Sequence, residues 1–122
     1  MTFEMLALVM TAACCALGVR FIFFGGSVLK EWGLESTAGA IILFRRMGAM
    51  YLALALMFYL GRTAAPSEIR SMVCLVMGGT SFLLAGLGLS EFLARRASAG
   101  IFRSAVAEAV LGAAFIWVWW AG

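Results

Sequence analysis

Between Ser71 and Ser90 the chain runs twenty residues without a charged side chain. Wound as a helix, at about 1.5 Å of rise per residue, such a run matches the roughly 30 Å hydrocarbon core of a bilayer. Lipid offers no water to pair backbone N–H and C=O groups, so a stretch of this kind is expected to be helical. Apolar runs of comparable length cover about residues 3–24, 46–61 and 104–121, and with about 69–89 they make four. Hydrophobic residues are 65% of the 122 and charged residues 12%, where a water-soluble domain has roughly 45–50% and 25%. The expectation is an all-α integral membrane protein, a four-helix bundle forming a single transmembrane domain over residues 1–122. The lipid bilayer is its first partner, and no length remains for a soluble catalytic domain.

The start of the second span is ambiguous. Thr37 to Phe44 is apolar, Arg45 and Arg46 interrupt, and Met47 to Gly61 continues. Two adjacent arginines in lipid are expensive, so the span is expected to begin near Arg46, with Ala38 to Phe44 lying along the membrane surface. Ser27 to Glu35, with Lys30, Glu31, Trp32 and Glu35 among apolar residues, reads as a short interfacial segment between the first two spans. Pro66 marks the next turn, and Ser67 is the expected N-cap of the third span. At the first span, Glu4 stands where a signal peptide would carry Lys or Arg, so that helix is expected to be retained.

Charge counting orients the four spans. Lys30, Arg45, Arg46, Arg95, Arg96 and Arg103 fall on one side, and Arg62 and Arg70 on the other. The positive-inside rule then places both long loops in the cytoplasm and both termini outside. Trp32 near the first loop and Trp117, Trp119 and Trp120 near the C-terminus are the expected interface anchors. The net charge of +3 is scattered over helix ends, a pattern of topology and headgroup contact and not of nucleic-acid binding.

Small residues mark where helices are expected to touch. Gly78, Gly79 and Gly86 on the third span and Ala105, Ala109 and Gly112 on the fourth would let backbones come close, as membrane helices do without a hydrophobic driving force. Glu108 shares the face of Ala105, Ala109 and Gly112, so its carboxylate points at protein. A carboxylate in that position calls for a neutral state or a cationic partner. Arg20, near the end of the first span, and Arg46 are the expected partners, as an ion pair or as a polar pocket for a headgroup or proton. Histidine is absent, and Cys14, Cys15 and Cys74 have no metal-ligand spacing. No metal, cofactor or catalytic residue is expected.

Gly18-Val19-Arg20-Phe21 closing the first helix, Trp32-Gly33-Leu34, Arg46-Met47-Gly48-Ala49 opening the second, the Gly78-Gly79 pair and Glu108 together resemble the small four-helix bacterial membrane proteins related to the DoxX-like family. That resemblance implies the four-helix fold and carries no assigned reaction. The functional expectation is a structural or accessory subunit of a larger inner-membrane assembly, not an enzyme, held to partner subunits or to further copies of itself. A binder or carrier of a lipid, quinone or other small apolar ligand is the alternative, with an ion-coupled small transporter behind it.

Overall fold

In the computed structural model, which describes residues 2–121, the chain forms five helices in the order α1 (Phe3–Phe23), α2 (Gly25–Glu31), α3 (Ala38–Gly61), α4 (Glu68–Leu93) and α5 (Ile101–Ala121). No strand occurs among the described residues. Helices α1, α3, α4 and α5 are each long and apolar enough to cross a membrane, at 21, 24, 26 and 21 residues. The expected all-α architecture with four such helices is what the chain adopts.

Local chemistry sets the helix ends. Thr2 accepts the Met5 N–H at 3.2 Å, Thr37 accepts that of Ala40 at 3.2 Å, and Ser67, as expected, accepts that of Arg70 at 3.2 Å. Each hydroxyl satisfies one of the first-turn N–H groups a helix leaves open. Two C-termini close in the same way as each other. After α2, the Leu34 N–H reaches back to the Leu29 carbonyl and Gly33 takes the left-handed backbone at φ 73°. After α4, the Arg96 N–H reaches the Glu91 carbonyl and Arg95 takes that conformation at φ 61°.

The start of the second long helix is corrected by the structure. Helix α3 is continuous from Ala38 and carries Arg45 and Arg46 two turns inside its N-terminus, with no break before Arg46. Thr37 caps it there, and the intervening residues include no proline. At about 36 Å, α3 exceeds the hydrocarbon core, so long arginine stems two turns from its end reach the headgroups. Both arginines are exposed.

Contacts divide the chain into two compact units, Ala7–Arg62 and the segment from Thr63 onward with the first turn of α1 through Leu6. In the first, α1 and α3 meet where two glycines face each other. A Cβ built on Gly18 would lie 2.9 Å from the Gly48 carbonyl oxygen and 2.7 Å from the Leu52 side chain. One on Gly48 would lie 2.8 Å from the Gly18 oxygen and 2.6 Å from Ile22. The backbones themselves are in contact, and any side chain at either position separates them.

In the second unit α4 and α5 cross at Gly78 and Gly112. Added Cβ atoms would sit 3.4 and 3.2 Å from the opposing carbonyl oxygens, against Ile116 on one side and Phe82 on the other. The seam continues through Gly88, which packs against Ala105 and Ile101. Buried and half-buried residues follow an alternating three-and-four spacing: Cys74, Gly78, Ser81, Ala85 and Gly88 on α4, and Ile101, Ala105, Glu108, Gly112 and Phe115 on α5. That spacing keeps one narrow stripe of each helix on its neighbour. On their other faces Ile69, Leu83 and Val110 are well exposed.

Candidate functional site

Two polar features stand among these apolar helices, one in each unit. The first begins at Arg20 in the last turn of α1. Its Nη2 donates to Glu31 Oε2 at 2.5 Å, and its Nε reaches Ser27 Oγ at 3.4 Å. Ser27 Oγ in turn donates to the Phe24 carbonyl at 2.7 Å. On an unbroken helix, residues eleven apart would be separated by about 16 Å, so this clasp requires the chain to turn back. Phe24 leaves helical geometry at φ −130° and ψ 33°, and α2 starts afresh from Gly25. Gly25 is buried against α3, with Ile41 and Phe44 3.5 Å from where a Cβ would be. Val28 and Leu29 are buried beneath α2.

An aromatic wall backs the clasp. Phe21 lies 5.1 Å from Phe44 and 5.4 Å from Tyr51 between ring centroids, and Trp32 meets Phe44 edge-on at 6.0 Å. Trp32, expected as an interface anchor, is half-buried in this cluster, so it also fixes the hook formed by α2. Glu31 was legible only as part of an interfacial segment, and no spacing on a continuous helix pairs it with Arg20. The Gly25-Gly26 pair, which lets the helix fold back, was the available signal.

The second feature is Glu108. It lies half-buried on the α5 stripe that faces α4, between Ala105 and Gly112, both buried. The expected ion pair joined it to Arg20 or Arg46. Arg20 has its charge balanced within its own unit by Glu31 and so does not require Glu108. Arg46 is an exposed residue of α3.

The expected packing residues separate into two groups. Gly78, Gly112 and Ala105 are buried in the α4–α5 seam, and Ala109 is half-buried beside it. Gly79 and Gly86, expected to touch another helix, have nothing within 4 Å of where a Cβ would stand. The seam follows Cys74, Gly78, Ser81, Ala85 and Gly88, and at about 100° per residue positions 79 and 86 lie roughly a third of a turn from its middle.

At the far end of α5, Trp117 and Trp120 lie 6.3 Å apart and are well exposed, at 56% and 75%. Exposed indoles there suit an interface belt. Nearby, Arg70 lies 4.6 Å over the Phe3 ring and donates to the Ala64 carbonyl. In the loop after α4, Arg96 grips Glu91 through Nε at 2.5 Å and Nη2 at 3.2 Å. The carboxylate pushes the Arg96 pKa up, chiefly through that hydrogen bond. Among the described residues no His, Cys, Asp or Glu cluster could hold a metal ion, and Cys14, Cys15 and Cys74 are free thiols.

Comparison with known protein families, curated proteins and solved structures returns no match.

Proposed function

We propose that this protein is a structural or accessory subunit of a larger assembly in the bacterial inner membrane, with no catalysis of its own. The observation that carries this reading is the open glycine face of α4. Gly78 shows how the chain uses a glycine when it packs a helix, with the opposing backbone close by; Gly79 and Gly86 present the same kind of surface with nothing against it. A membrane helix gains little from showing glycine to lipid and much from showing it to another helix. The resemblance to DoxX-like proteins supports the fold of such a subunit and not its partner. The test is the mass of the complex recovered in mild detergent. Wild type should run above the 13.1 kDa of one chain plus its detergent, and Gly79→Leu or Gly86→Leu should release it. A wild-type protein that runs as a single chain ends this reading.

A second reading is a binder or carrier of a lipid, quinone or other small apolar ligand, and Glu108 supports it. A half-buried carboxylate between small residues is a polar end to which an apolar molecule could be held. Lipids and quinones co-purifying with wild type and lost from Glu108→Gln would favour it over the first.

A further inference from the structure

The two glycine crossings have the same composition. Gly18 faces Gly48 and Leu52, and Gly78 faces Gly112 and Ile116; Gly48 faces Ile22, and Gly112 faces Phe82. One shift of sixty positions carries Gly18 to Gly78 and Ile22 to Phe82. A second, of sixty-four, carries Gly48 to Gly112 and Leu52 to Ile116. The same shifts bring Cys14 onto Cys74, both buried one turn before their glycine, and Met47-Gly48-Ala49-Met50-Tyr51-Leu52 onto Leu111-Gly112-Ala113-Ala114-Phe115-Ile116. In so apolar a sequence these identities weigh little alone. Matching contacts at matching positions weigh more, because helix pairs can cross at many different residues and angles.

One turn beyond each crossing the two hairpins diverge, and they do so at both facing positions. In the first, Phe21 and Phe44 are in ring contact at 5.1 Å. The corresponding residues of the second are Ser81 and Glu108, on the facing stripes of α4 and α5. Ser81 is 7% exposed. Two phenylalanines replaced by a hydroxyl and a carboxyl surrender packing and place polar groups where lipid cannot satisfy them. Packing alone does not account for this exchange, whereas a binding site does.

We infer that the second hairpin repeats the first with its aromatic contact replaced by an intramembrane polar site, Ser81 with Glu108, that takes a positively charged hydrogen-bond donor, the ammonium head of an amphiphile. The carboxylate supplies the counter-charge and the hydroxyl a further acceptor. Ala105, Ala109 and Gly112 leave room beside the carboxyl that larger side chains would fill. Helix α4 brings no charged residue to this seam between Ser71 and Ser90, and the nearest charge on α5 is Arg103, more than a turn away. The site rests on the ligand-binding reading of Glu108 given above, deepens it by naming the ligand's head group, and does not depend on the assembly role.

The experiment uses the full chain in phosphatidylcholine vesicles and dicyclohexylcarbodiimide, which modifies protonated carboxyls from the apolar phase. Modification of Glu108, located by peptide mass, should fall as pH rises, and Glu108→Gln should lose it. Protection by dodecylamine and not by dodecanol identifies the ammonium ligand. Absence of modification, or modification that dodecylamine does not slow, overturns the site. The repeat is tested separately by Ser81→Phe with Glu108→Phe, which restores the residues of the first hairpin. That variant should melt at or above the wild-type temperature. A fall as deep as that of Gly78→Leu would show that the hairpins are not equivalent and would overturn the repeat.

Discussion

Single residues in this chain carry distinct costs. Arg95 holds a left-handed backbone, at φ 61°, as the residue that closes α4, where a side chain costs roughly 1 kcal/mol relative to glycine. Arg95→Gly is therefore expected to raise stability by about 1 kcal/mol, read from thermal unfolding in one detergent. Gly33 occupies the same position after α2 at φ 73°, and Gly33→Ala should lower stability by about as much. A loss on Arg95→Gly would mean that the guanidinium contributes more than its backbone costs. The Arg20–Glu31 clasp is partly exposed, with side chains 34% and 20% accessible, so its worth is intermediate between surface and buried pairs. Glu31→Gln should cost about 1–2 kcal/mol, and adding Arg20→Gln should recover part of it. Additive losses would show that the two residues act separately.

Among the helices, legibility followed the solvent. Lipid demands about twenty apolar residues per crossing, so the expected 3–24 and 104–121 lie close to Phe3–Phe23 and Ile101–Ala121. The expected 69–89 stops four residues short of the C-terminus of α4, because the helix continues past the charged Glu91 to Leu93. The start of α3 was misread for an electrostatic reason: the cost of arginine belongs to the bilayer centre, and residues two turns from a helix end escape it through their own length. The hook at α2 and the Arg20–Glu31 clasp depend on a turn that no periodicity encodes. Adjacent glycines give the least information of all, since Gly78 and Gly79 offer two faces and composition does not choose between them. The structure does choose, and a prediction follows from it. Gly48→Leu should unfold or severely weaken the isolated protein, by several kcal/mol, because its Cβ would meet backbone. Gly79→Leu should leave the melting temperature of the isolated chain unchanged and act only on recovery of the complex. Equal melting losses in both would place an unseen helix against Gly79 within the chain itself.

At the scale of the whole molecule, what remains to be fixed is direction across the membrane. Four helices long and apolar enough to span bring both termini to one side if all four cross. The loops after α1 and α4 then share the other side. Lys30, Arg95, Arg96 and Arg103, with Arg45 and Arg46 near the start of α3, lie toward that side, against Arg62 and Arg70 on the opposite one. Continuity of α3 through its arginines does not disturb the count, because both lie within two turns of the helix end and count as flanking charges. The exposed tryptophans of α5 do not decide between orientations, since aromatic belts occur at both interfaces. Basic residues do decide, because they are retained on the cytoplasmic side during insertion. With Cys14, Cys15 and Cys74 replaced by alanine, a single cysteine at Ala121→Cys should react with a membrane-impermeant maleimide in intact cells. One at Ala97→Cys, next to Arg96, should react only after the membrane is opened. The reverse pattern would invert the protein, and reaction at both sites from outside would mean that one of the four helices does not cross.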